Sequence, residues 1–279
     1  MARARALVLG GGGVAGIAWE TGIIAGLADA GVDVTGADLL LGTSAGANVA
    51  AQVGSGLPLE ELFRRQTEPS LQSREIVPPG NPLLDLGTLW GEIVVESGGD
   101  QAKVGRRLGE LAGAAHTVPV IARYAVIETR LPVHDWPDRN LRVVAVDADT
   151  GEPQVFHRAS GVSLIHAVAA SSAVPLVWPV VPIAGARYID GGVRSSSNSD
   201  LAAGHDRILI LLPTPDLRVD EEVAALTAAG SRVEVIAPDA ATFAVVGDNP
   251  LDPATRTPAA EAGRAQGRAE APRIAQLWN

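Results

Sequence analysis

Apolar positions along this chain fall into two alternating rhythms. Residues 6–9 form a short unbroken apolar run, which predicts a buried strand. Residues 17–30 carry apolar side chains at helical spacing and stop at Gly31, a residue suited to closing a helix. The alternation then repeats. Residues 39–41 are a second apolar run, ending at Gly42, and residues 45–53 are helical in pattern, ending at Gly54. Further on, residues 141–146, 207–212 and 232–236 read as strands, and residues 161–171 read as a helix stopped near Pro175. Strands that alternate with helices predict an α/β protein with a mostly parallel sheet covered on both faces. Residues 66–138 break the rhythm. Seven prolines (Pro69, Pro78, Pro79, Pro82, Pro119, Pro132, Pro137) interrupt a partly helical insertion, read either as peripheral structure or as a cap over a substrate. Residues 252–273 alternate alanine with charge, as a surface helix does.

Composition narrows the function classes. With 47% hydrophobic and 19% charged residues, 279 residues suffice for a large core. The absence of cysteine excludes a disulfide scaffold, a thiolate metal site and a cysteine nucleophile. A net charge of −10 argues against a nucleic-acid partner and against electrostatic attraction to an anionic membrane, though not against apolar contact with lipid. The basic start, Met1 to Arg5, followed by an apolar run, is a weak signal-peptide pattern. It is cut off at once by Gly10 to Gly13, so a first strand is the better reading. No apolar run reaches about 18 residues, the length needed to span a bilayer. The expected location is the cytoplasm, with transient peripheral contact to membrane. The sequence does not fix an oligomeric state.

Three short motifs carry the chemistry. Gly11, Gly13 and Gly16 complete a G-x-G-x-x-G between a strand and a helix, where bare backbone N–H groups and the helix dipole favour an anion. That anion is either a dinucleotide pyrophosphate or the oxyanion of an acyl-transfer transition state. Gly42-Thr43-Ser44-Ala45-Gly46 is the chain's one G-x-S-x-G. It stands between a strand and a helix, the setting in which a sharp turn presents a serine nucleophile. Asp190-Gly191-Gly192 follows a short run with an acid at its end; alone it is a simple turn. The dinucleotide reading needs an acid at the end of the second strand, and that strand ends in Gly42-Thr43-Ser44 instead. A Ser-acid-His order also exists, as Ser44, Asp190 and His205. Yet the elbow arrives too early for an ordinary α/β-hydrolase, and none of His116, His134, His157, His166 and His205 has a motif around it.

Taken together and in this order, the three motifs resemble those of the patatin-like phospholipases. The similarity extends over roughly residues 6–212, through the small-residue stretch 167–175 before the Asp motif and Asn198 after it. The resemblance implies a three-layer α/β/α fold, with the insertion 66–138 inside the domain and residues 213–279 packing on it. It also implies a serine acyl-ester hydrolase that needs no cofactor and no metal. Ser44 would be its nucleophile and Asp190 its base, without a histidine. Gly11, Gly12 and Gly13 would hold the oxyanion, while Gly16, Gly42, Gly46, Gly191 and Gly192 support the turns. The substrate would be a lipid or another acyl ester. The chain departs from the family pattern at Ala15, a position often basic, and at Asp200, a position often proline. The first departure leaves the oxyanion to backbone N–H groups alone. It also keeps open a catalytically silent relative that binds acyl ligands, beside the nucleotide-binding oxidoreductase.

Overall fold

The computed structural model describes residues 4–216 and 218–279, the side chain of Asp85 excepted; the first three residues of the basic start lie outside it. The first unit is β1 (Arg5–Leu9), α1 (Gly13–Asp29) and β2 (Leu39–Thr43), followed by α2 (Ala45–Gly54). Residues 6–9 and 39–43 are all buried, as expected of strands covered on both faces. The sheet continues with β3 (Leu141–Asp147), β4 (Pro153–Phe156), β5 (Val181–Ile183), β6 (Ala186–Asp190), β7 (Arg207–Leu211) and β8 (Arg232–Ile236). Strands β3, β2, β1, β7 and β8 run parallel in that order, while β4, β5 and β6 pair antiparallel.

Helices close the two faces. On β1, Leu7 and Leu9 pack with α1, α2 and the long C-terminal helix α10 (Arg256–Trp278), whereas Ala6 and Val8 face the side covered by α8 (Val219–Ala228). The expected three-layer α/β/α arrangement is the one observed. Helix α1 starts at Gly13, four residues before its apolar spacing becomes regular, because the glycine loop itself forms its first turn. At its other end Gly31 takes φ +84°, the left-handed conformation that closes a helix.

The segment 66–138 is more helical than its prolines suggest. It contains α4 (Pro82–Glu96), α5 (Gln101–Ala114) and α6 (Val120–Arg130), with prolines at or just before helix starts, where a missing N–H costs nothing. Helices α4 and α5 pack on Val146 and Ile189, beside the C-terminal end of the sheet.

Helices α1 and α10 touch backbone to backbone. A Cβ on Gly22 would stand 2.2 Å from the Ala260 carbonyl oxygen, and one on Gly26 would stand 2.1 Å from that of Arg264. Gly263 and Gly267 of α10 answer in kind against the Trp19 and Ile23 carbonyls. The helix expected over 252–273 lies in the structure at 256–278, with most of one side buried rather than resting on the surface.

Candidate active site

Strand register brings the motifs together. Along β3, Val144 pairs with Thr43 of β2 and Val155 of β4, while the next residue, Ala145, pairs with Gln154 of β4 and Asp190 of β6. Since β4 holds one edge, β2 and β6 share the other. They run in opposite senses, so their C-terminal ends meet head to head. Ser44 follows one end and Asp190 closes the other, although 145 residues of chain separate them.

The turn at Ser44 is sharp. Its φ is +53° and ψ −113°, a conformation that is strained for a serine. Close approach explains the flanking glycines: a Cβ on Gly46 would fall 2.0 Å from the Leu9 carbonyl oxygen, and one on Gly42 2.5 Å from Ala47 Cα. Three side chains pin the strained backbone. The Ser44 N–H donates to Ser171 Oγ at 2.9 Å, and the Ser44 carbonyl accepts from Asn48 Nδ2 at 3.0 Å and Ser172 Oγ at 3.3 Å. Ser171 also donates to the Val144 carbonyl, which fixes the end of α7 (Leu164–Ser171) to β3. Ser171, Ser172 and Asn48 were not singled out by sequence. The run of small residues before Pro175 was the only signal for Ser171 and Ser172, and Asn48 had none.

Asp190 is 4% exposed and Ser44 8%. The Gly192 N–H donates to Asp190 Oδ1 at 2.7 Å. Oδ2 has no partner in good hydrogen-bond geometry; the side chain that acts on the carboxyl is that of Ser44. Burial raises the Asp190 pKa from 3.8 to about 7, against the opposing pull of Ser44 and of the Gly192 N–H. A carboxyl tuned near neutrality can take and return a proton at working pH.

Asn198 ties the two strand ends. Its side-chain amide donates to Thr43 Oγ1 and to the carbonyls of Gly191 and Ser195. Asp200, where the family often has proline, pairs with Arg194, which also donates to Asn198 Oδ1. In the glycine loop, the Gly11 N–H donates to the Ser196 carbonyl at 2.9 Å and is therefore committed. Among the described residues no backbone partner takes the N–H groups of Gly12 and Gly13. Gly13 has φ +65°, and a Cβ there would meet the Pro250 carbonyl at 2.8 Å. The Gly46 N–H donates to the Gly10 carbonyl, so elbow and loop are joined directly.

A cleft of about 690 Å³ opens over these groups, a size suited to a small-molecule or acyl-chain ligand. Gly12, Gly13, Ser44 and Asp190 stand at its floor, with Leu86 and Trp90 of α4 among its walls. No histidine is among its lining residues. His166 packs on Tyr124, and His205 hydrogen-bonds the Ala202 carbonyl. Among the described residues no group of His, Asp and Glu side chains is arranged to hold a metal ion.

The sequence model of the patatin-like phospholipases matches residues 7–203, which contain the loop, the elbow, Asp190 and Asn198. The chain belongs to that family. The match sets aside the oxidoreductase alternative, and as a patatin-like protein the chain is a lipid ester hydrolase. No curated protein sequence matches it significantly. Among solved structures it is similar to VipD from Legionella pneumophila, at 14% identity and a TM-score of 0.51, over 97% of this chain and 67% of that one. It is also similar to the type III effector protein ExoU, at 16% identity and a TM-score of 0.40, over 97% of this chain and 53% of that one. The likeness to VipD is one of fold. Among the described residues no helix is long and apolar enough to cross a membrane.

Proposed function

We propose that this patatin-like protein hydrolyses its acyl ester through a Ser44–Asp190 dyad and an acyl-enzyme. Asp190, with a pKa near 7, removes the Ser44 hydroxyl proton as Oγ attacks the ester carbonyl. The Gly12 and Gly13 N–H groups hold the resulting oxyanion, with Gly11 as the anchored neighbour that sets their direction. Asp190 then returns the proton to the leaving alcohol. In the second half, water gives its proton to Asp190, attacks the acyl carbonyl, and releases the acid as Ser44 recovers its hydrogen. Each oxyanion donor contributes about 3–4 kcal/mol to lowering the barrier.

The observation that carries the reading is the head-to-head meeting of β2 and β6, which sets a strained serine beside a buried, proton-holding carboxyl in one cleft. Apolar side chains at the cleft suit a lipid surface approached from the cytoplasm. Leu84 is 69% exposed and lines the cleft, and helix α4 that bears it serves as the cap. Ser44→Ala and Asp190→Asn should each reduce hydrolysis of a p-nitrophenyl ester to background, while every His→Ala variant stays active. Turnover by Ser44→Ala at the native rate would disprove the mechanism.

A further inference from the structure

Behind Ser44 lies a buried charge that no described residue pairs with. Arg123 of α6 is 4% exposed and its guanidinium lies over the Trp178 ring, 3.8 Å from the centroid. Its Nη1 is buried without a hydrogen-bond partner, and it forms no ion pair with any described residue. Seven residues along the same helix, Arg130 is also buried, but it pairs with Glu75, as does Arg256. One carboxylate thus stands among three buried guanidiniums and pairs with two of them. Burial and the neighbouring Arg130 push the Arg123 pKa down to about 9, with Glu75 opposing. Arg123 therefore keeps its charge at neutral pH, and at a cost in stability, because a buried unpaired cation loses its water without compensation.

Arg123 and Arg130 line a side pocket of about 20 Å³, together with Glu75, Gly13, Ser44 and Ser172. That is room for one small group or a water, not for a chain. The pocket opens off the main cleft, with which it shares Gly13, Ser44, Val174 and Leu251. A protein with a net charge of −10 has here a local excess of positive charge beside its reactive serine.

We propose that the Arg123 guanidinium is the seat of a small anionic acceptor group, a carboxylate or a phosphate oxygen, bound beside Ser44. Trp178 holds the guanidinium flat, and the Glu75–Arg130–Arg256 network keeps Glu75 from neutralising it. The seat deepens the proposed hydrolase by naming a charge that its ligand carries, and it rests on that reading only for which bond then reacts.

Binding is measured in a Ser44→Ala background, so that the result does not depend on turnover. Hexanoate, hexanamide, inorganic phosphate and sodium chloride are titrated at constant ionic strength, with calorimetry and the melting temperature as readouts. Hexanoate is expected to bind and to raise the melting temperature, and hexanamide is not. Arg123→Met, which keeps packing on Trp178 and removes the buried charge, should melt at or above the parent temperature and bind hexanoate at least tenfold more weakly. Arg123→Lys, which keeps the charge, should retain part of the binding. Binding of hexanoate without phosphate or chloride assigns the seat to an anionic group on an acyl ligand. Equal binding of phosphate or chloride supports the seat and assigns it to a free ion. Unchanged hexanoate binding in Arg123→Met, or no anion binding by the folded parent, overturns the proposal. If Arg123→Met does not fold, Arg123→Lys decides: hexanoate binding weaker than the parent's supports a guanidinium seat, and binding equal to the parent's overturns it.

Discussion

Replacing Asp190 by asparagine separates stability from activity in a way that pH makes visible. In the unfolded chain the carboxyl ionises near 3.8; in the folded protein it holds its proton to about 7. Below 3.8 both states are protonated and the group contributes its full stability. Between the two values the unfolded chain has lost a proton that the folded one keeps, so stability falls as pH rises and levels off above about 7. At about 1.4 kcal/mol per pH unit, that gap is worth about 4 kcal/mol. Asparagine cannot ionise and fits the same space. Urea unfolding of both proteins, read by tryptophan fluorescence from pH 4 to pH 8, should show Asp190→Asn gaining on the native protein by about 4 kcal/mol across the range. Glu20, another buried carboxyl with a strongly raised pKa, titrates in both proteins and cancels in the difference. Hydrolysis by the native protein should rise about tenfold per pH unit below 7 and flatten above it, while the variant stays at background. A stability difference that does not change with pH would refute the assignment of Asp190 as a buried, proton-holding base.

Ser44→Gly should be more stable than Ser44→Ala by about 1 kcal/mol, since only glycine relieves the strained φ of +53°, with both inactive; equilibrium unfolding measures the gap. Asn198→Ala should lower kcat by about tenfold or more, leaving KM nearly unchanged, because it unties Thr43 from Gly191 without reaching the cleft; steady-state kinetics on a soluble ester will read this. Gly26→Ala, far from the cleft, should cost about 1–3 kcal/mol by forcing α1 and α10 apart, as a lowered melting temperature reports. Leu84→Asp should slow hydrolysis of a lipid ester in vesicles more than that of a soluble p-nitrophenyl ester.

The parallel core and the elbow were legible because their signals are local. Residues 6–9 and 39–41 are buried on both faces and so wholly apolar, and Gly42 and Gly46 sit where a Cβ collides with backbone. Strands β5 and β6 were not legible as sheet. Both are short; β6 is half-exposed at Ala186 and Arg187 and held by pairing with β3, 41–45 positions earlier, and β5 is held by β6 in turn. The helices of 66–138 were masked by prolines that mark helix starts as readily as breaks. Ser171, Ser172 and Asn48 look like ordinary small and polar residues until the chain places them around the Ser44 backbone. The fate of the Gly11 N–H depended on Ser196, 185 positions away, which no local pattern reveals.

The joint of β2 and β6 on β3 also bears on how this protein can change over evolution. Neither strand touches the other in a ladder; their spacing is read off by consecutive residues of a third, Val144 and Ala145. Loops that do not line the cleft can gain or lose residues and leave the site alone. One residue inserted between Val144 and Ala145 would move the ends of β2 and β6 apart by about 3.3 Å, more than a hydrogen bond can stretch, without altering either motif. Length variation should therefore be forbidden at that peptide, and a relative with intact G-x-S-x-G and D-G-G but an insertion there should be inert.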